Sequence, residues 1–136
     1  MSETLKGKWG YRSFRHEKIE VKDGKLVGNP QLAVPWSPAG ELNVDTSERG
    51  EVMGTLTFAL APGVSLKVTG LITPATDNSP ASVDLTGEGH SSVNKLKGFF
   101  VPGSDHVVGT IVSLANDLGR QPDGTVGPFV LFPIKG

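Results

Sequence analysis

The chain has 136 residues, a net charge of −1 and no cysteine. The first two numbers exclude the electrostatic footprint of a nucleic-acid-binding domain, because no long basic run is present; the third excludes a disulfide framework, a thiol nucleophile and a thiolate metal site. The hydrophobic share of 37%, the charged share of 20%, and 18 glycines and 10 prolines spread between short apolar runs describe one all-β domain over 1–136.

Met1 to Gly7 lacks the apolar core of a secretion signal, and no stretch is long and apolar enough to span a bilayer. A cytoplasmic protein that does not engage membranes is the expectation. Gly7 to His16 is the first predicted strand, with Trp9, Tyr11, Ser13 and Arg15 on one face. Ile19-Glu20-Val21 and Lys25-Leu26-Val27 flank Lys22-Asp23-Gly24, and Asp-Gly between short apolar segments predicts a tight hairpin. Asn29-Pro30 breaks it. Gln31 to Gly40, with Trp36 and its prolines, is expected to cross irregularly and to contain a short edge strand.

Glu41 to Asp45 alternates, with Leu42 and Val44 inward. Val52–Leu60 and Val64–Ile72 form a predicted hairpin about the three-residue loop Ala61-Pro62-Gly63. Symmetric folding about Pro62 pairs Phe58 with Leu66, Leu56 with Val68, and Gly54 with Gly70. After a turn-rich loop, Val83 to Glu88 is another alternating strand, and His90-Ser91-Ser92 turns into Val93 to Val101. A two-residue turn at Gly103-Ser104 then pairs Phe100 with Val107, Leu96 with Ile111, and Gly98 with Gly109. Pairing Gly87 with Gly98 sets Glu88 opposite Lys97. The loop Asn116 to Thr125 leads to the last strand, Val126 to Ile134.

No helix of ten residues survives the prolines and glycines. Eight to ten short strands joined mainly by turns predict an antiparallel up-and-down meander closed into a small barrel. Gly54, Gly70, Gly87, Gly98 and Gly109 form a predicted inward band, where glycine lets a sheet bend and lets bulky groups approach the backbone. Trp9, Tyr11 and Trp36 are expected above that band, filling the space themselves or sharing it with a ligand.

A meander of this size that opens Gly7-x-Trp9 resembles the calycin barrels, the lipocalin-like and avidin-like proteins. The resemblance implies an opening tryptophan that closes one end of the barrel and a small ligand held inside. The chain departs from lipocalins in lacking their late arginine, since it ends Phe132-Pro133-Ile134-Lys135. No biotin-binding set maps onto it. Allene oxide cyclase-like barrels share the strand spacing and imply an enzyme.

Phosphate-loop and dinucleotide motifs are absent, as is Gly-x-Ser-x-Gly, so no cofactor is implied. His16, His90 and His106 have no metal-ligand spacing, and no metal site is expected. Asp105 beside His106 serves a turn, and Glu88 near His90 reads as a surface pair. Arg12, Arg15 and His16 beside Trp9 and Tyr11 are the densest polar and aromatic group in the chain. An inward Arg15 requires a carboxylate or a ligand anion. The expected ligand-binding residues are therefore Trp9, Tyr11, Arg15, Trp36, Gly54 and Gly70, around a small, mainly apolar molecule held without catalysis. A cyclase or isomerase using Tyr11, Arg15, His16 or Glu88 is the enzymatic alternative; a structural, self-associating module with no ligand is the third. Phe99, Val101, Val108, Val112 and Leu114 fall on the outer face of neighbouring strands, which predicts a homo-oligomer.

Overall fold

Strands account for nearly all of the regular structure in this computed structural model, which describes residues 5–16, 20–27, 33–35, 39–46, 50–116 and 126–134. In chain order they are β1 (Gly7–His16), β2 (Glu20–Lys22), β3 (Lys25–Val27), β4 (Ala33–Pro35), β5 (Gly40–Thr46), β6 (Glu51–Phe58), β7 (Ser65–Thr73), β8 (Ser82–Gly89), β9 (Ser92–Phe100), β10 (Val107–Asn116) and β11 (Val126–Pro133). Each long strand pairs antiparallel with the next, in the order β11-β10-β9-β8-β7-β6-β5-β1, and β1 also pairs with β11. That last pairing closes an eight-stranded up-and-down barrel and removes the free edges of the sheet. The expected closed meander is the fold observed.

Alternation of side chains decides what the barrel holds. β6 reads exposed-buried without a break from Glu51 to Phe58, because residues two apart share a face and only one face is dry. Inside lie Trp9, Leu42, Val52, Leu85, Val107 and Leu131 with their neighbours, as one cluster. Outside, the wall carries ionic and polar pairs such as Lys97 with Asp84 at 2.9 Å and Lys95 Nζ donating to Thr86 Oγ1 at 2.7 Å. This arrangement inverts that of a lipid-embedded barrel, whose apolar band faces outward. No helix among the described residues is long and apolar enough to cross a membrane.

Turn chemistry explains where the expected registers hold. The β2–β3 hairpin pairs Lys22 with Lys25, and its corner residues Asp23 and Gly24 have φ of 51° and 74°, the signature of a type I′ turn. Between β9 and β10, Phe100 faces Val107, Leu96 faces Ile111 and Gly98 faces Gly109, as the sequence predicts. The corner itself differs. Ser104 N donates to Val101 O at 3.0 Å, placing Pro102 and Gly103 (φ 81°) at the two central positions of a type II-like turn, rather than Gly103 and Ser104.

Two registers need correction. In β6–β7, Gly54 faces Val68, Val52 faces Gly70 and Leu56 faces Leu66, so Gly54 and Gly70 are not partners. The loop is longer than three residues: two consecutive turns, Ala61 N to Phe58 O at 3.1 Å and Val64 N to Ala61 O at 2.9 Å, shift the pairing by two. An even shift keeps every side chain on its face, so the hydrophobic pattern does not oppose it. In β8–β9, Gly87 faces Asn94 and Val83 faces Gly98, which sets Asp84, not Glu88, opposite Lys97. The reason is a two-residue turn at His90 and Ser91, both at positive φ (50° and 60°), a conformation that the usual glycine does not announce here.

β4 is the expected short edge strand, pairing Pro35 with Phe14 and Val34 with Arg15 at the far end of β1. Trp36 lies outside the described residues.

Candidate functional site

The two ends of the barrel differ. At the lower end, where β1 begins, Leu5 is fully buried and its carbonyl accepts a 2.7 Å hydrogen bond from Trp9 Nε1. The indole needs that acceptor because a buried N–H without a partner is costly. Trp9, Val52, Val83, Val107 and Leu131 fill this end with apolar surface.

Polar side chains enter the interior in the upper half, where β1, β9 and β10 supply Tyr11, Ser13, Ser92, Asn94 and Ser113, all buried. Tyr11 meets Phe58 edge-on, with ring centroids 6.4 Å apart and planes at 74°. Burial pushes the Tyr11 phenol up to about 12, against a smaller opposite effect from its hydrogen bond with Ser13. The group is therefore a protonated donor at neutral pH, not a base. Across from the β1 pair, register places Ser113 beside Asn94, and Asn94 beside Gly87, in one row through β10, β9 and β8. Ser113 is fully buried and its Oγ has no hydrogen-bond partner. Every inward side chain among the described residues of the barrel is uncharged.

The five band glycines occupy inward positions, and their surroundings define their roles. A β-carbon at Gly54 would run into the Asn43 carbonyl of β5, and one at Gly70 into the Asp84 carbonyl of β8. These two residues permit sharp bending of strand on strand. The ring resting on a glycine belongs to Phe129, whose Cζ stands 2.9 Å from the β-carbon position of Gly98. Trp9 and Tyr11 are inside the barrel as expected, but the atoms nearest Gly54 and Gly70 are main chain rather than their rings. Gly87 differs again. A β-carbon there would have one described neighbour within 4 Å, Val68 Cγ2 at 3.9 Å.

The backbone of Arg15 continues the inward parity of Trp9, Tyr11 and Ser13; its side chain and that of His16 lie outside what is described. Glu88 is exposed on the outer wall, opposite Lys67. His90 sits in its tight turn, where Nε2 accepts from Ser65 N at 3.4 Å. His106 lies 3.5 Å from Asp105 at the lower rim, both half exposed. No group of three metal-ligating side chains forms among the described residues. Asn94 and Ser113 are absent from the sequence-derived set, although two polar residues on the inward parity of apolar strands are a readable signal.

On the outer wall, Val108 of β10 faces Phe99 on one side and Val130 on the other. Phe99, Val108 and Leu114 are exposed by 41%, 42% and 50%, whereas Val112 is half-buried and Val101 lies beyond the end of β9. No family model, no curated protein and no solved structure matches the chain.

Proposed function

We propose that this barrel binds a small, mainly apolar molecule through its upper end, without catalysing a reaction on it. The supporting observation is the division of the interior: a lower end plugged by Leu5 and Trp9, and an upper half in which a few uncharged polar side chains interrupt apolar walls. Binding chambers combine mostly apolar lining with a small number of placed polar groups in this way. In this reading Tyr11 belongs to the upper chamber with Ser13 and Phe58, while Gly54 and Gly70 let the barrel wall bend; Trp36 and the Arg15 side chain lie outside the described residues. The calycin-like character of the fold, lipocalin-like or avidin-like, is part of the same proposal. Native mass spectrometry of purified protein, with and without added Nile red, tests it. A retained or acquired small-molecule mass is expected; an interior that takes up neither an endogenous ligand nor the dye overturns it.

One observation favours a second reading, a cyclase or isomerase. Tyr11 is a buried phenol held protonated, able to donate a hydrogen bond to a substrate carbonyl and so polarise it. Turnover of an enone or epoxide substrate that is lost in Tyr11→Phe would support that role.

The outer stripe through Phe99, Val108 and Val130 supports a proposal of self-association. Apolar side chains contiguous across three strands mark an interaction surface more often than single exposed ones do.

A further inference from the structure

Buried polar groups without partners are rare, since leaving a hydroxyl or amide unpaired in a dry interior forfeits its hydrogen bonds to water. One occurs here, beside a buried amide. Ser113 is fully buried with its Oγ unpartnered. Asn94, its register neighbour on β9, is 8% exposed. The next position in the row, on β8, is Gly87, where the lone described neighbour of an added β-carbon stands at 3.9 Å. An unsatisfied hydroxyl and a buried amide thus adjoin the roomiest of the five band glycines.

Resting on the binding-barrel reading, we propose that Asn94 and Ser113 anchor an uncharged hydrogen-bonding head group, a hydroxyl or carbonyl, of an otherwise apolar ligand whose body lies over Gly87. The amide offers two donors and an acceptor, and the hydroxyl offers one donor and two acceptor lone pairs. Together they satisfy a head group that donates, accepts or does both. The inward side chains described around them carry no charge, and the Tyr11 phenol stays protonated at neutral pH, so an anionic head placed beside Asn94 would meet no described cation. Matched uncharged partners also give the chamber selectivity, because a ligand lacking the polar group leaves both side chains unpaired.

The test uses the full chain, Nile red as the reporting dye, and two competitors of similar shape, 1-octanol and 1-chlorooctane. The quantity read is the ratio of their displacement constants. In Ser113→Ala and Asn94→Leu that ratio is expected to move about ten-fold towards 1-chlorooctane, the size of one good hydrogen bond. Gly87→Val is expected to weaken both competitors together, since it fills the space over β8. Dye uptake with an unchanged ratio in Ser113→Ala and Asn94→Leu overturns the anchor and leaves the binding barrel standing. A wild type that takes up no dye and retains no endogenous ligand overturns both. Ser113→Ala removes a single unpartnered oxygen, so it keeps the test open if Asn94→Leu does not fold.

Discussion

Phe132 lies across Gly10 on the outside of the barrel, its ring occupying the space where a β-carbon of residue 10 would stand. The two are register partners in the β1–β11 pairing that closes the sheet. A bare glycine in a strand is weak, and an aromatic ring laid over it restores buried area. Gly10→Ala is expected to displace the ring and destabilise by about 1–3 kcal/mol, and Phe132→Ala by roughly 1–2 kcal/mol through lost burial. In the double variant the new methyl no longer meets a ring, so urea melts should give a sum smaller than the two single losses.

Tyr11 is the single tyrosine in the chain, so the ultraviolet titration of the whole protein reads it directly. Its phenol is raised from 10.0 to about 12 by burial. The folded state therefore holds its proton more tightly than the unfolded chain does. Stability is full below pH 10 and falls as pH rises towards 12, by about 2–3 kcal/mol in that window. Tyr11→Phe should flatten that alkaline loss, at a cost of about 1 kcal/mol near neutrality for the hydrogen bond with Ser13. A phenol titrating near pH 10 in the folded protein would contradict the burial.

Glycine-to-alanine changes should separate the band residues sharply. At Gly70 and Gly109 the new methyl collides with main-chain carbonyls of Asp84 and Lys97, which cannot swing aside as a side chain end can. Losses of about 3 kcal/mol or more, or failure to fold, are expected there. Gly87→Ala meets Val68 Cγ2 at ordinary contact distance, and should fall within about 1 kcal/mol of the wild type, helped by a stiffer unfolded chain. Chemical denaturation midpoints of the three variants decide the matter.

Val108→Glu, placed between Phe99 and Val130, should convert a self-associating protein into a monomer without altering its circular dichroism. Sedimentation velocity of both forms checks this. A wild type that sediments as a monomer at high concentration removes the proposal.

Much of the architecture was legible because one face of each long strand is dry. Alternation alone placed Leu42, Val52, Leu56 and Ile111 inward, and all four are buried. Register was legible only where parity and turn length together left one solution, as in Phe100 with Val107. In β6–β7 the successive turns over residues 59–64 shifted the pairing by two, a change invisible to any pattern of period two. In β8–β9 the left-handed pair His90 and Ser91 carries no Asn-Gly signal. The interior polar residues were harder for a related reason. Ser113 and Asn94 have the parity of core positions but ordinary polar identities; their burial, and the missing partner of Ser113 Oγ, distinguish them from a strand end in solvent.

The seam between β1 and β11 carries a kinetic consequence. Trp9 faces Pro133, and Ile134 N donates to Lys8 O at 3.0 Å, so the contacts that complete the barrel join residues separated by almost the whole chain. Such contacts raise the relative contact order, and the entropy of closing so large a loop is lost before the seam returns any enthalpy. Refolding is expected on the millisecond-to-second scale of all-β domains, and a chain still emerging from the ribosome holds an open, seven-strand sheet with β1 waiting for its partner.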